Sequence, residues 1–169
     1  MEVRDYIQRQ IANSYRLLDA AMEGTTDEQF NWTPPGTANP IRAAFIHLVA
    51  GEDYFIQTVI QGKSRIWDAE GWGSRIGLTQ PPGRGGDWTE VKTTALEIGP
   101  IVDYQRAVRA ATHDHVAALS LDEMARTVTF AGTTREVADM LVLLAGHITF
   151  HAGEIAAIKG VQGVKGLPF

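Results

Sequence analysis

TTREVADMLVLLAGHITFHAGEIAAIKG, residues 133–160, is the stretch on which the fold reading turns. Thr133-x-x-Glu136 reads as a capping box, and behind it apolar residues recur at helical spacing for about 26 residues to Lys159, with Gly160 as the stop. His147 and His151 lie four apart, so their directions differ by roughly 40° and both project from one face, a single turn apart. Leu144, Ile148, Ile155 and Ile158 share the neighbouring arc, which turns that face toward a protein interior. Two imidazoles so placed can reach one metal ion at about 2.1 Å. The alternative is a pair of core histidines satisfied by hydrogen bonds. A zincin protease needs a glutamate directly after the first histidine, and Ile148 stands there.

A third histidine adds to the pair. His47 lies among Phe45, Ile46, Leu48 and Val49, where an unpaired imidazole would be costly, and Gly51 one turn on leaves space beside it. Asn39-Pro40 reads as N-cap and first helical residue, opening a helix from about Pro40 to Gln61. Three histidines on two helices are the number that catalytic zinc sites use, with a coordination position left open. Glu154 looks toward the same site. It is a candidate fourth ligand, an acceptor orienting a histidine ring, or a base acting on bound water. His113 and His115 are two apart in another helix and read as solvated surface histidines.

Two further helices complete the pattern. Residues 3–22 place Val3, Ile7, Ile11, Tyr15, Leu18 and Met22 at helical spacing, ending at Gly24. A third helix runs from Gly99-Pro100 to about Leu119, followed by a capped short turn at Ser120 and a brief extended excursion, TVTFAGTT (127–134). The expected fold is all-α: one domain over 1–169, a four-helix bundle with a long crossover between helices 2 and 3. That crossover, 62–99, is rich in glycine and tryptophan and is expected to be mostly irregular, with one helical turn near Thr89–Leu96. Connections of this length usually cover a site. Trp32, Tyr54, Trp67 and Trp72 are available to wall a small-molecule pocket, or serve as ordinary packing.

Composition narrows the function. A net charge of -5 with no basic block argues against nucleic-acid binding. Cysteine is absent, so thiolate ligands, disulfides and a cysteine nucleophile are excluded. No signal peptide is read at the start, and no window reaches the roughly 18 apolar residues that span a bilayer. The expectation is a cytoplasmic protein without a membrane partner. Apolar surface on helix 3 and the tail GVQGVKGLPF (160–169, with Gly160 as helix stop) suggests a homodimer.

HITFHAGEIAAIKGVQGVKGLPF (147–169) and NWTPPGTANPIRAAFIHLVAGEDYF (31–55) together resemble the DinB-like (damage-inducible, YfiT-related) metal-dependent family. The first carries that family's His-x-x-x-His-x-Gly-Gln/Glu-Ile pattern; the second resembles its helix with a His-Leu pair and an acidic-aromatic cluster. Residues 62–130 match no motif of the family. The resemblance implies a four-helix bundle with zinc or nickel held by His47, His147 and His151. It also implies a small-molecule thiol S-transferase, since relatives use bacillithiol or, in a maleylpyruvate isomerase, mycothiol. Glu154 stands where many relatives have glutamine. On this reading a low-molecular-weight thiol is the cosubstrate, with Trp32 and Tyr54 lining its pocket and Glu154 a candidate catalytic group. A metal-dependent hydrolase of small esters or amides, or a non-catalytic metal-binding stress protein, remains open.

Overall fold

The computed structural model describes residues 3–83 and 85–167. Helix α1 (Val3–Met22) buries Ile7, Ile11, Ser14, Leu18 and Ala21, a stripe at spacings of three and four. Val3, expected on that stripe, is exposed, and Ser14 and Ala21 take the places read for Tyr15 and Met22. The chain ends the helix through Gly24, whose φ of 65° lies in the left-handed region. A short helix, α2 (Asp27–Asn31), starts at a capping box formed by Thr26 and Gln29.

Helix α3 (Ile41–Asp53) begins one residue later than expected. Its N-cap is Pro40, without a side-chain cap bond, and the Asn39 amide instead donates to Glu154 Oε1 at 3.3 Å. Eleven of its thirteen residues are buried, and the two exceptions, His47 and Gly51, are one turn apart and line the same cavity. The helix expected to run on to Gln61 changes pitch at Tyr54 and continues as π-helix over Tyr54–Ile60. Such wider turns occur frequently at functional sites.

The crossover carries more helix than its composition suggests: α4 (Ile66–Ala69), α5 (Trp72–Ile76) and α6 (Thr89–Thr93). Asp53 at the end of α3 builds the first of these. Its carboxylate accepts from the backbone N–H of Ile66 and Trp67, both at 2.9 Å, and from the Tyr104 hydroxyl at 2.7 Å. Trp67 and Trp72 are buried against Tyr104, so they anchor the crossover and do not wall the cavity. Beside Asp53, Glu52 accepts from Tyr15 of α1 and from Thr112 of α7 (Ile98–Ala118), the latter at 2.7 Å. Burial pushes both carboxyl pKa values up.

Buried cations close helix ends. The Arg42 guanidinium donates to the carbonyls of Asn31, Val91 and Lys92, tying α2 and α6 to α3. Lys159 Nζ donates to Ala21 and Glu23 at the end of α1, at 2.9 and 2.8 Å. Each satisfies carbonyls that a helix terminus leaves without partners.

After α8 (Leu121–Ala125), where Ser120 caps as expected, the extended excursion is an antiparallel hairpin, β1 (Thr127–Phe130) and β2 (Thr133–Glu136). Its two-residue turn, Ala131-Gly132, has φ of 52° and 76°, the sign pattern of a type I′ hairpin. The fold is thus mostly helical with one small sheet. The capping-box reading fails here: Thr133 and Glu136 pair within the ladder, and α9 (Val137–Val161) starts without a side-chain cap bond. Nor does Gly160 stop α9, which runs one residue further and turns at Gly163, φ 76°.

α9 packs most extensively on α1, then on α3. By length and composition it could cross a bilayer, contrary to the window count. Part of its apolar surface serves the core, where Val137, Met140, Leu141, Leu144, Ile148 and Ile155 are fully buried, while Val142 and Phe150 are exposed.

Candidate metal centre

His47, from α3, and His147 and His151, from α9, come together with one ring nitrogen each within 4.8 Å of the others. The Nε2 atoms of His47 and His147 are 3.3 Å apart. Two nitrogens bound to one tetrahedral ion at about 2.05 Å would be separated by about 3.3–3.4 Å. The spacing therefore suits a shared ion.

Tautomers follow from the neighbours. His47 Nδ1 lies 2.8 Å from the Pro82 carbonyl oxygen, which can only accept, so Nδ1 carries the proton and Nε2 presents its lone pair. His151 Nδ1 lies 2.6 Å from Glu154 Oε2. The hydrogen bond from His151 is the main cause that holds the Glu154 carboxyl below its usual range, with Asn39 adding to the effect. An ionised Glu154 accepts from Nδ1–H and leaves His151 Nε2 bare. Outer hydrogen bonds of this kind orient histidine ligands and raise their basicity.

His147 is held differently. Its Nδ1 is buried without a hydrogen-bond partner among the described residues. Packing sets the ring: a Cβ at Gly51 would lie 2.7 Å from His147 Cε1, and the Phe55 ring stands edge-on at 5.6 Å. Burial, with His151 and His47 nearby, pulls the His147 pKa down to about 3, and burial also lowers that of His47. Both imidazoles are neutral near pH 7, the form that binds metal.

The donor set fits a divalent ion: three half-buried imidazoles, two with fixed tautomers. His47 and His147 line a cavity of about 700 Å³. The crossover closes one side through Pro81, Pro82 and Trp88, whose ring lies 4.6 Å from that of His47 and whose Nε1 donates to the Gly83 carbonyl at 3.0 Å. Phe130 and Ala131 of the hairpin close another.

The other sequence candidates divide. Tyr54, exposed, lines the cavity; Trp32, half-buried, does not. Glu154 sits behind His151 and is not part of the cavity wall. Trp88 and Arg65 line it and were missed, since neither belongs to a helix that periodicity could orient. His113 is exposed, but His115 is half-buried, with Nε2 lacking a partner among the described residues and its pKa lowered mainly by burial. It is not the solvated residue expected.

The DinB superfamily model matches residues 10–155. The chain belongs to the DinB superfamily. A crystal structure described as a conserved protein from Enterococcus faecalis superposes with a TM-score of 0.79 at 16% identity, over 96% of this chain and 99% of that one. That likeness shows the fold. No curated protein matches the sequence.

Proposed function

We propose that this DinB-superfamily protein is a metal-dependent transferase that joins a small thiol to an electrophilic substrate, with zinc or nickel on His47, His147 and His151. α1, α3 with its π-helical continuation, α7 and α9 are taken as the four helices of the bundle. The observation that carries the reading is the 3.3 Å Nε2 pair at the wall of an open cavity of about 700 Å³. A structural ion would be enclosed by protein; a cavity at the ligands leaves room for a cosubstrate.

A bound divalent ion would supply Lewis acidity, favouring a thiol in its deprotonated form. The chain does the rest. Pro82 and Glu154 fix the rings of His47 and His151. Glu154 serves here as the acceptor behind a ligand, the role its contacts support. Tyr54, Phe55, Trp88 and Phe130 give the cavity an apolar wall that excludes water from one side. Because the chain has no cysteine, the sulfur must come from a diffusible thiol. A cytoplasmic setting, where such thiols are kept reduced, suits the reading.

We also keep the homodimer, on a different surface. The tail is folded back: a Cβ at Gly166 would collide with the Ala156 backbone, and Leu167 packs on the core. Exposed apolar residues of α1 and α9 line one face: Tyr6, Val142 and Phe150, the last 78% exposed, at a groove of about 380 Å³. A twofold pairing would seat each Phe150 in the other copy's groove.

The test is metal analysis of the purified protein, then incubation with low-molecular-weight thiols and a chlorinated aromatic, beside ester and amide substrates. Thiol consumption lost in His147→Ala supports the reading. Metal-dependent hydrolysis without thiol dependence replaces it with the hydrolase.

A further inference from the structure

Arg65 is the one formally charged side chain among the described residues lining the cavity, histidines aside, and no carboxylate lines it. A cation on an apolar wall needs a reason, because its charge is poorly solvated there. Asp68 answers only part of it. Arg65 Nε and Nη2 donate to the two oxygens of Asp68 at 2.8 and 3.1 Å, which fixes the plane of the guanidinium. Nη1 has no protein acceptor among the described residues. An i, i+3 pair with side-chain exposures of 30% and 51% contributes little to stability, so the pair is better understood as a brace.

The backbone is braced too. Arg65 is the N-cap residue of α4, and the next two N–H groups are those bound by the buried carboxylate of Asp53. Asp53 ends the helix that carries His47, so one rigid element bears the histidine and sets where the arginine stands.

We propose that Arg65 is the anion-recognising residue of this cavity, and that the ligand it selects is a small molecule with an apolar or aromatic body and a carboxylate. The carboxylate meets Nη1 of a guanidinium whose plane Asp68 orients. The body lies along Trp88, Tyr54 and Phe130. The opposite end reaches toward His47 and His147. Naming this ligand as the substrate rests on the transferase reading above; carboxylate recognition by Arg65 does not. Guanidinium–carboxylate contacts are among the strongest hydrogen bonds proteins make, and a cavity with apolar walls strengthens them.

The test uses the full-length protein and a matched pair of probes, 3-phenylpropanoate and its neutral amide. Binding is followed by NMR on the Trp88 indole N–H, assigned with Trp88→Phe, in metal-free and in zinc-treated protein. In metal-free protein the carboxylate should bind about tenfold or more tighter than the amide, the ratio expected for one charge-assisted contact. Arg65→Gln should remove that ratio while leaving amide binding unchanged, and Arg65→Lys should keep part of it. Asp68→Asn, which keeps one oxygen acceptor for the guanidinium and removes the competing charge, should widen the ratio, and it decides the matter if Arg65→Gln does not fold. An equal ratio in wild type and Arg65→Gln, or no carboxylate preference in the wild type, overturns the inference. A preserved ratio in protein that takes up no metal keeps the inference and removes the transferase reading; metal uptake without the ratio does the reverse.

Discussion

Replacing Gly51 by alanine perturbs the metal centre through one methyl group. Its Cβ would lie 2.7 Å from His147 Cε1, about 0.7 Å inside the 3.4 Å at which ordinary contact begins. The His147 ring lines the cavity and can yield in that direction. Overpacking costs about 1–3 kcal/mol in a closed core, and less where a side chain can swing into open space. Alanine also regains up to about 1 kcal/mol of helix propensity. Stability of the metal-free variant should therefore change by no more than about 1–2 kcal/mol. Metal affinity has no such relief. Coordination distances tolerate about 0.2 Å, so a displacement of about 0.7 Å removes a ligand, and affinity should fall at least the ten- to hundredfold seen for losing an outer-shell partner. Gly153→Ala is the control. It lies in the same helix as His147, is exposed and has nothing within 4 Å of its added carbon. It should raise Tm by about 2–4 °C and leave metal binding alone. The assay is chelator-competition titration with zinc, beside thermal unfolding in EDTA. Zinc affinity in Gly51→Ala equal to wild type would falsify the account of how His147 is held.

Glu154→Ala should lower zinc affinity about ten- to hundredfold, because His151 loses the acceptor that fixes its tautomer, whereas Glu154→Gln keeps an acceptor and should lose far less; equal losses in a chelator titration would show that charge matters and orientation does not. Metal-free protein should lose stability as pH falls from about 6.5 toward about 3. In that window unfolded His147 binds a proton and folded His147 does not, so stability declines with acid, by up to a few kcal/mol. Chemical denaturation at pH 7, 5.5 and 4.5 should show a shallower decline in His147→Gln, and parallel declines would count against it. Phe150→Glu should give a monomeric mass by light scattering where wild type gives a dimer, with zinc binding intact; a wild-type monomer at tens of micromolar rejects the pairing.

How far the residues announced this arrangement depends on whether periodicity could orient them. His47, His147 and His151 lie inside long apolar helices, where a 3.6-residue repeat turns sequence into direction, so their common facing was legible before any coordinates. Gly51 was read as leaving space beside His47, but the ring that fills the space is that of His147, which belongs to the other helix. A spacing rule operates within one helix and cannot say which neighbour arrives. The same limit explains Asn39 and Thr133. Both have the local chemistry of caps, yet Asn39 is drawn to Glu154 across 115 residues and Thr133 to the hairpin ladder. Tertiary partners outbid a local bond of about 1 kcal/mol.

The crossover was the least legible segment, and it supplies one side of the cavity. Tryptophans 67, 72 and 88 look equivalent in a glycine-rich sequence. The distinction between them comes from Asp53. By capping α4 it pulls Trp67 and Trp72 down onto Tyr104, into the core, while the chain beyond Pro82 returns over His47 and leaves Trp88 at the cavity wall. One buried carboxylate at the end of α3 thus decides which aromatics become packing and which faces the candidate metal centre. Asp53→Asn, which keeps the shape but halves the acceptor capacity, should loosen the crossover before it loosens the helices. Hydrogen exchange should then rise first at Ile66 and Trp67, with the Trp88 indole shifting at the same denaturant concentration. If those amides stay protected until global unfolding, the crossover is held by its tryptophans, and Asp53 does not organise it.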